Sequence, residues 1–453
     1  MTSEAPKYSP FSHYEKRPPL GLGFLTSVLK KRGHKVFFID NYLKPSNILE
    51  TNFLNKNYVD FVGIYSTTTC YESTLKMLNK LNSIRQDKIW NGKIIVGGPH
   101  TSVGASEIPE YIDYIVIGEG ENIILDIVEN NIKERIINGV EVIDLDTLPI
   151  PAWEEFVHLS YSWREPWIDA YPIYTLNTSR GCPFNCKFCS VKAIWGRTYR
   201  YMSAQRIVDD IKYLMKYYGA RGIYFREDNF TLNTKRIEQF CEILLRQKIE
   251  IDWICETRVD SLTDYNFQKL MNEAGCKAFF IGVESGSQRM LDFYRKGVTV
   301  EQFIKAFEIA KKVGIRTYAS YIIGTYEETK QDKKLTKQLL KNIKPDFIGR
   351  NIYVGIPGSE IYDYMLSNKL YDYKDKTTKI LFVKGHNRLV NRYYHGNPTF
   401  KYLTLSRGAQ MVLWKIFWKI KESMKMLMKE YFKRTYIFLK NIKYKVKRYY
   451  FNA

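Results

Sequence analysis

The sequence predicts an α/β protein in three parts: a Rossmann-like (flavodoxin-like) N-terminal domain, a partial (β/α)6 TIM-like barrel, and a helical, basic C-terminal tail. Strand-like and helix-like segments alternate between residues 18 and 128, which is typical of a parallel sheet covered by helices. After residue 171 the alternation resumes and repeats six times, which is typical of a barrel of βα units. Lysines recur on one side of a helical pattern over residues 405–450 and predict the tail. The expected boundaries are 1–143 for the first domain, 144–170 for a linker, 171–371 for the barrel and 372–453 for the C-terminal region.

The N-terminal domain opens with a helical pattern over residues 21–31, which Gly33 ends. Strand-like segments follow at residues 35–40, 60–65, 93–96 and 114–117. Glycine and hydroxyl-bearing residues crowd the ends of the last three strands, at residues 66–69, 97–100 and 118–121. Ligands of open parallel sheets bind along that edge, where glycine allows close approach and Ser or Thr supplies hydrogen bonds.

A strand forming the centre of this sheet should precede Pro18, yet residues 1–16 contain no apolar run. We therefore expect that the coding start is set too late and that the central strand is missing from the chain. An unfilled position between two strands would be a serious stability defect.

The barrel follows a proline-punctuated linker at residues 144–153. Its strands are predicted near residues 172–178, 221–226, 250–257, 277–284, 315–323 and 346–353. Its helices are predicted near residues 203–218, 234–247, 262–274, 300–312 and 329–342, with a cysteine-bearing loop and a short helix after the first strand. The C-terminal ends of such strands carry the chemistry of these barrels.

The most informative motif is Cys182, Cys186 and Cys189, spaced Cys-x3-Cys-x2-Cys. Three thiolates leave the fourth iron of a [4Fe–4S] cluster open to a small molecule. The alternative is a zinc knuckle, which would need a fourth Cys or His at close spacing, and none is present.

With Phe188 before the last cysteine, this motif resembles the radical S-adenosylmethionine (SAM) superfamily. The resemblance implies that SAM chelates the open iron and that one electron cleaves it to a 5′-deoxyadenosyl radical. It also implies SAM-binding roles after successive barrel strands: the amino group for Glu227 and Asp228, the carboxylate for Arg258, and the ribose and carboxylate for Glu284 and Ser285. A competing interpretation of Asp228, or of Asn229, is a helix N-cap.

One turn departs from this family pattern, and one arginine is a candidate in addition to it. Residues 324–329 resemble the family's Gly-x-Pro-Gly-Glu-Thr turn, but Tyr326 replaces proline and Glu327 replaces the second glycine, which puts adenine packing there in doubt. Arg200 is a further candidate for contact with substrate or SAM, against the alternative of a surface ion pair. No catalytic residue is assigned.

The N-terminal segments, in their order, resemble the cobalamin-binding domain found ahead of many radical SAM enzymes. The candidate cobalamin contacts that this implies are Pro19, Gly21, Ser66, Thr67, Gly97, Gly98, Pro99, His100, Gly118, Glu119 and Gly120. The alternative is a flavodoxin-like domain that binds nothing. The Asp-x-His-x-x-Gly motif is absent, so cobalamin is expected to bind without a protein histidine on cobalt, with His100 as a loop residue near the ligand tail. Cys70 is interpreted as a small buried residue, or as a group facing the lower side of the corrin.

Composition sets the remaining expectations. The formal net charge is +21, but residues 401–453 hold 14 Lys and Arg against Glu422 and Glu430, a net of +12, so the excess is concentrated in the tail. The tail is predicted either to lie on an anionic membrane surface or to pack against the barrel. No N-terminal apolar run resembles a signal peptide, and no apolar run is long enough to form a membrane-spanning helix. Seven cysteines, three of them in the cluster motif, indicate a reducing cytoplasm, and Cys70, Cys241, Cys255 and Cys276 are expected to be buried.

These resemblances imply a cobalamin-dependent radical SAM enzyme that works anaerobically with a [4Fe–4S] cluster, SAM and cobalamin. Methyl transfer to an unactivated carbon is the favoured reaction, in which methylcobalamin would supply methyl to a substrate radical. The alternatives are a cyclase or rearrangement enzyme and a non-catalytic carrier of the cluster and cobalamin. The expected partners are a small-molecule, lipid or peptide substrate and a low-potential flavodoxin or ferredoxin, with peripheral membrane contact through the tail and no nucleic acid.

Overall fold

The computed structural model describes residues 1–3 and 16–383, apart from 45, 47, 51, 131 and 166, together with residue 385. In the N-terminal domain the strands are β1 (Phe61–Tyr65), β2 (Lys93–Gly97), β3 (Tyr114–Ile117) and β4 (Ile136–Asn138). The helices are α1 (Leu20–Lys31), α2 (Phe53–Lys56), α3 (Tyr71–Gln86), α4 (Thr101–Gly104) and α5 (Ile124–Glu129). The strands form one parallel sheet in the order β1-β2-β3-β4.

Successive side chains along each strand of this sheet point to opposite faces, because a strand has a side-chain period of two. Ile94 and Val96 pack with α3, whereas Ile95 packs with α1 and α5. Helices therefore cover both faces of the sheet, as predicted.

The segment at residues 35–40 differs from the predicted strand. Its contact with the sheet is a single parallel bridge from Asp40 to Thr2, and Thr2 bridges Tyr65 on its other side. The amide of Thr2 donates to the carbonyl of Ile39 over 3.1 Å, and the amide of Tyr65 donates to the carbonyl of Met1 over 2.9 Å. Residues 1–3 thus lie between residue 40 and β1. Among the described residues, segment 35–40 pairs with the sheet only through this short stretch, which explains why no strand is observed there. Strand β4 was not predicted.

The second domain is an open barrel of parallel strands. Its main strands are β5 (Ile173–Leu176), β8 (Gly222–Phe225), β9 (Asp252–Thr257), β10 (Cys276–Glu284), β11 (Arg316–Ile323) and β12 (Phe347–Ile352), and between the first two lies a two-stranded antiparallel ladder of β6 (Ser179–Arg180) and β7 (Arg200–Tyr201). The helices are α6 (Val191–Trp195), α7 (Ala204–Tyr218), α8 (Thr234–Arg246), α9 (Tyr265–Glu273), α10 (Gln288–Phe293), α11 (Val300–Val313) and α12 (Lys330–Ile343). The six main strands pair in chain order, and over the described residues β5 and β12 do not pair with each other, so the barrel is open as predicted.

Local sequence explains where these helices begin and end. Ser203 caps α7 by accepting from the amide of Arg206, and Thr299 and Gln302 form a capping box at the start of α11. Gly219 ends α7 in the left-handed conformation. The apolar faces of the helices then pack on the outside of the barrel strands.

The linker joins the two domains through one continuous core. Trp153 and Phe156 are fully buried and belong to the same apolar cluster as Phe24 of α1 and Ile207 of α7. The linker therefore fixes the N-terminal domain against the barrel through shared apolar packing.

A small C-terminal element follows the barrel. It comprises α13 (Glu360–Ser367) and an antiparallel sheet of β13 (Val354–Gly355), β14 (Tyr371–Lys374) and β15 (Leu381–Val383), with β15 in the middle. Residues 371–374 and 381–383 are therefore strands, whereas a helical region was predicted from residue 372. The amphipathic pattern at 405–450 lies outside the described residues. Over the described part of the chain, no helix is both long and apolar enough to cross a membrane.

Candidate cofactor site

A cavity of about 490 Å³ lies where the sheet edge of the N-terminal domain faces the barrel. On one side it is lined by the start of α1 and the C-terminal ends of β1, β2 and β3, and on the other by residues at the ends of β5, β8 and β9. Its volume is in the usual range for small-molecule sites, roughly 300–1,000 Å³. The strand ends that the sequence predicts to carry the chemistry of the two domains therefore meet at this cavity.

Glycine forms much of the wall on the N-terminal side. A Cβ built on Gly21, Gly63 or Gly118 would meet no atom within 4 Å, so a side chain at these positions would enter the cavity. Gly118 has a φ of +81°, which favours glycine over any residue with a Cβ. These glycines keep this part of the wall free of side chains, which fits a large planar group such as a corrin.

The predicted cobalamin contacts divide into two groups. Those that line the cavity are Pro19, Gly21, Gly97, Gly98, Pro99, Gly118, Glu119 and Gly120. Ser66, Thr67 and His100 are not among the lining residues. The Ser66 hydroxyl lies 3.0 Å from that of Thr74, and the Thr67 hydroxyl lies 3.3 Å from that of Thr69.

His100 lies in the turn between β2 and α4, as predicted, but it is buried and does not line the cavity. Its ring packs on the ring of Tyr71 with 3.8 Å between centroids, and its Nδ1 lies 3.3 Å from the hydroxyl of Thr68. Burial lowers the pKa of His100 to about 4, so the imidazole is neutral at pH 7. Cys70 is also buried and does not line the cavity, and burial raises the pKa of its thiol.

On the barrel side, Glu227 and Asp228 follow β8 and line the cavity. Glu227 is 5% exposed, and it accepts from the amide and hydroxyl of Thr178 over 3.2 and 2.7 Å and from the hydroxyl of Ser179. Burial raises the pKa of Glu227 to about 7 and the pKa of Asp228 to about 6. The N-cap of the following helix α8 is Asn233, so the capping interpretation of Asp228 and Asn229 is wrong.

The three cysteines lie on a loop that leaves and re-enters the barrel through the β6–β7 ladder. Gly181 precedes the loop with a φ of +81°, and a Cβ there would overlap the carbonyl oxygen of Thr198. All seven cysteines of the chain are free thiols, and those of the loop are half-buried. Burial raises the pKa of Cys189 to about 12, so bound iron would have to stabilise the thiolate.

The donor chemistry of this loop fits a cluster with one open iron, because it offers three soft thiol ligands on one short segment. Among the residues that the structure describes, no three His, Cys, Asp or Glu side chains are gathered as a metal-binding group.

Lys296 connects several of the remaining candidates beside this loop. Its Nζ lies 3.0 Å from Glu284 Oε1 and 6.0 Å from the ring centroid of Phe188, and its carbonyl accepts from Arg258 over 2.6 Å. Arg258 also lies 3.7 Å from Cys186 Sγ. Glu284 sits at a register shift in β10 with a φ of +58°. Sequence reasoning missed Lys296, because a single lysine after a short helix carries no signal.

Ser285 and Tyr326 pack away from that group. The hydroxyl of Ser285 lies 3.3 Å from that of Thr336 on α12, and it accepts from the amide of Ser287. Tyr326, in the atypical turn, stacks on Tyr364 with 4.8 Å between ring centroids.

Arg200 forms a buried ion pair, neither a surface pair nor part of the cavity wall. Its guanidinium donates to Glu119 and, over 2.7 Å, to the carbonyl of Val142. Arg180 donates to Glu119 over 2.5 Å and to Glu121 over 2.6 Å. Sequence reasoning missed this network, since its members come from distant parts of the chain.

Comparison with known proteins agrees with this geometry. The family model described as "Radical SAM superfamily" matches residues 176–340, and that described as "B12 binding domain" matches residues 14–128. An uncharacterized methyltransferase of Pyrococcus horikoshii is 30% identical over 78% of this chain and 79% of its own length. The chain belongs to the cobalamin-binding radical SAM family. It is accordingly a cobalamin-dependent radical SAM enzyme whose cofactors are a [4Fe–4S] cluster, SAM and cobalamin, and it uses a small-molecule substrate and an external electron donor.

Two further likenesses place this radical SAM enzyme among its relatives. The anaerobic magnesium-protoporphyrin IX monomethyl ester cyclase of Rubrivivax gelatinosus is 27% identical over 76% of this chain and 66% of its own length. The structure of the cobalamin-dependent SAM radical enzyme OxsB with aqua-cobalamin bound shares the fold, with a TM-score of 0.63 and 23% identity over 80% of this chain and 55% of that chain. The chain thus spans about two thirds of the cyclase and just over half of OxsB.

Proposed function

We propose that this radical SAM enzyme is a methyltransferase that acts on an unactivated carbon of a small molecule. The observation that carries the proposal is the single cavity shared by the glycine-lined sheet edge and the strand ends of the barrel. A substrate there would lie between cobalamin and SAM. The resemblance to a protein named as a methyltransferase supports the reaction class.

The chain's own residues would bind and orient the reactants. We propose that Cys182, Cys186 and Cys189 ligate the cluster, and that Glu227 and Asp228 accept hydrogen bonds from the amino group of SAM. When bound, SAM and the cluster supply a carbon-centred oxidant and cobalamin supplies a methyl carrier.

The other predicted contacts receive roles from their positions. Arg258, beside Cys186, would face the SAM carboxylate, and Glu284, held by Lys296, would face the ribose. The glycine wall would hold the corrin. Over the described residues no histidine lines the cavity, which supports binding of cobalamin without an imidazole on cobalt.

A second candidate function is cyclisation without methyl transfer, which the likeness to a cyclase favours. The two functions differ in the fate of the SAM methyl group. A methyltransferase consumes one SAM as a methyl donor and releases S-adenosylhomocysteine, whereas a cyclase needs only reductive cleavage to 5′-deoxyadenosine.

An isotope experiment separates them. The reconstituted protein, reduced anaerobically with cobalamin and SAM labelled on the methyl group, should release S-adenosylhomocysteine and transfer label to the bound corrinoid. Formation of 5′-deoxyadenosine with an unlabelled corrinoid would support the cyclase, and the absence of both products would contradict an enzymatic role.

We also propose that the electron donor is a low-potential flavodoxin or ferredoxin, because the cluster must receive single electrons.

For the tail we propose peripheral contact with an anionic membrane, which the net charge of +12 over residues 401–453 supports.

A further inference from the structure

The loop at residues 118–121 has two kinds of contact. Its glycines, Gly118 and Gly120, line the cavity in which we place cobalamin. Glu119 also lines the cavity, but its carboxylate reaches into the barrel domain, and its side chain is 2% exposed. One short loop therefore touches both the proposed cobalamin site and the base of the cysteine loop.

The ladder that Glu119 reaches closes the cysteine loop. Arg180 of β6 and Arg200 of β7 are directly paired across this ladder. Arg180 stands two residues before Cys182, and Arg200 follows Cys189, so the pair forms the neck of the loop. Like charges directly opposite each other on two strands repel, and burial strengthens the repulsion.

Glu119 offsets this repulsion by binding both arginines. One carboxylate oxygen accepts from Arg180 over 2.5 Å, and the other accepts from Arg200. The first oxygen also accepts from the amide of Val142 over 3.0 Å. Burial alone would raise the pKa of Glu119, but the hydrogen bond from Arg200 and the charge of Arg180 outweigh it and hold the pKa below its ordinary value. Without this carboxylate, Arg180 would keep its contact with Glu121 and Arg200 its contact with the carbonyl of Val142, but the bridge between the two guanidinium groups at the neck would be lost.

We propose that Glu119 is a positioning residue that couples the cobalamin-binding loop to the cysteine loop, so that cobalamin and SAM each strengthen the binding of the other. Anything that fixes the backbone at Gly118 and Gly120 also fixes the carboxylate that closes the neck. Because coupling between two sites is reciprocal, the effect must be equal in both directions. The inference rests on the proposal that cobalamin occupies the glycine-lined cavity.

The test measures the dissociation constant of SAM for the full-length protein with an oxidised, reconstituted cluster, with and without saturating hydroxocobalamin. For the wild-type protein we expect cobalamin to tighten SAM binding by at least roughly fivefold, the lower end of usual coupling. The Glu119→Gln variant should bring this ratio close to one. A purely structural role would weaken both affinities and leave the ratio unchanged.

Asp210→Asn is the matched control. Asp210 is a buried carboxylate of α7 that accepts from Arg206 over 2.8 Å and does not line the cavity. Its variant should keep the wild-type ratio. A Glu119→Gln variant with the wild-type ratio would overturn the proposal.

Hydrogen exchange of the wild-type protein keeps the proposal testable if the Glu119 variant does not fold. Cobalamin should slow amide exchange at residues 179–181 and 199–201, and unchanged exchange there would contradict the coupling. A wild-type protein that binds cobalamin without any change in SAM affinity would refute the coupling alone. Failure to bind cobalamin at all would refute the cavity assignment and the inference with it.

Discussion

Glu227→Gln should stabilise the cofactor-free protein at alkaline pH, because Glu227 is a carboxyl group whose ionised form is poorly tolerated. Glu227 is 5% exposed, and burial raises its pKa from an ordinary value of 4.5 to about 7. Glutamine has the same shape and keeps the hydrogen bonds. Its Oε1 can accept from the amide and hydroxyl of Thr178, while its amide donates to Ser179.

The magnitude follows from proton linkage. Between pH 4.5 and pH 7 the native protein binds a proton at Glu227 that the unfolded chain has released, so wild-type stability falls as pH rises through this window. Each pH unit is worth about 1.4 kcal/mol, which gives roughly 3 kcal/mol at pH 7 and above. Glutamine does not titrate, so its advantage should be near zero below pH 4.5 and reach about 3 kcal/mol above pH 7.

Denaturant unfolding of the two proteins at pH 5 and at pH 8 measures this difference. Glu72→Gln is the control, because Glu72 has a 63% exposed side chain that pairs with Lys76, and its replacement should show little pH dependence. A Glu227→Gln variant that is less stable than the wild type at pH 8, or an advantage independent of pH, would refute the reasoning. The same variant should bind SAM more weakly, since the neutral amide cannot pair with the ammonium group.

Three other expectations follow from the site and the tail. Replacing Cys182, Cys186 or Cys189 singly with Ala should abolish the [4Fe–4S] cluster, and iron counting after anaerobic reconstitution would contradict this if any variant kept the wild-type content. Gly63→Val places a side chain in the cavity from an ordinary strand position, so absorbance titration should show that this variant no longer binds cobalamin, whereas Gly63→Ala keeps partial binding. Equal affinity of the two variants for cobalamin would argue against the glycine wall as the corrin site. Deleting residues 405–453 should leave SAM cleavage intact but reduce co-sedimentation with anionic vesicles at low salt, and full-length protein that ignores such vesicles would exclude the membrane role.

Much of this architecture could be predicted from the sequence because short apolar runs bounded by glycine and polar residues mark parallel strands. The predicted strand at 277–284 is observed as Cys276–Glu284, and the helix at 300–312 as Val300–Val313. The local sequence pattern does not predict a strand correctly where strand formation depends on pairing with a distant segment. Residues 35–40 have the composition of a strand, but within the described part of the chain they pair only through Thr2.

The site shows the same division between local and long-range information. A cysteine spacing is local, and so the cluster ligands could be proposed at once. The direction of a side chain after a strand end is not local, which is why His100 proves to be packed on Tyr71 instead of facing the cavity. Arg200 could not be assigned because its partner, Glu119, lies in another domain.

The most direct test is whether the two metal cofactors lie close together at the domain interface. Electron paramagnetic resonance of the protein with Co(II) cobalamin and a reduced [4Fe–4S] cluster would answer it, with the cluster-free Cys186→Ala variant as reference. We expect the cobalt signal to be broadened and to relax faster in the wild-type protein, because the cysteine loop leads into α6, whose Ile194 and Trp195 line the cavity, so that a cluster on this loop would lie close to bound cobalamin. A cobalt signal identical in the two proteins would contradict the account.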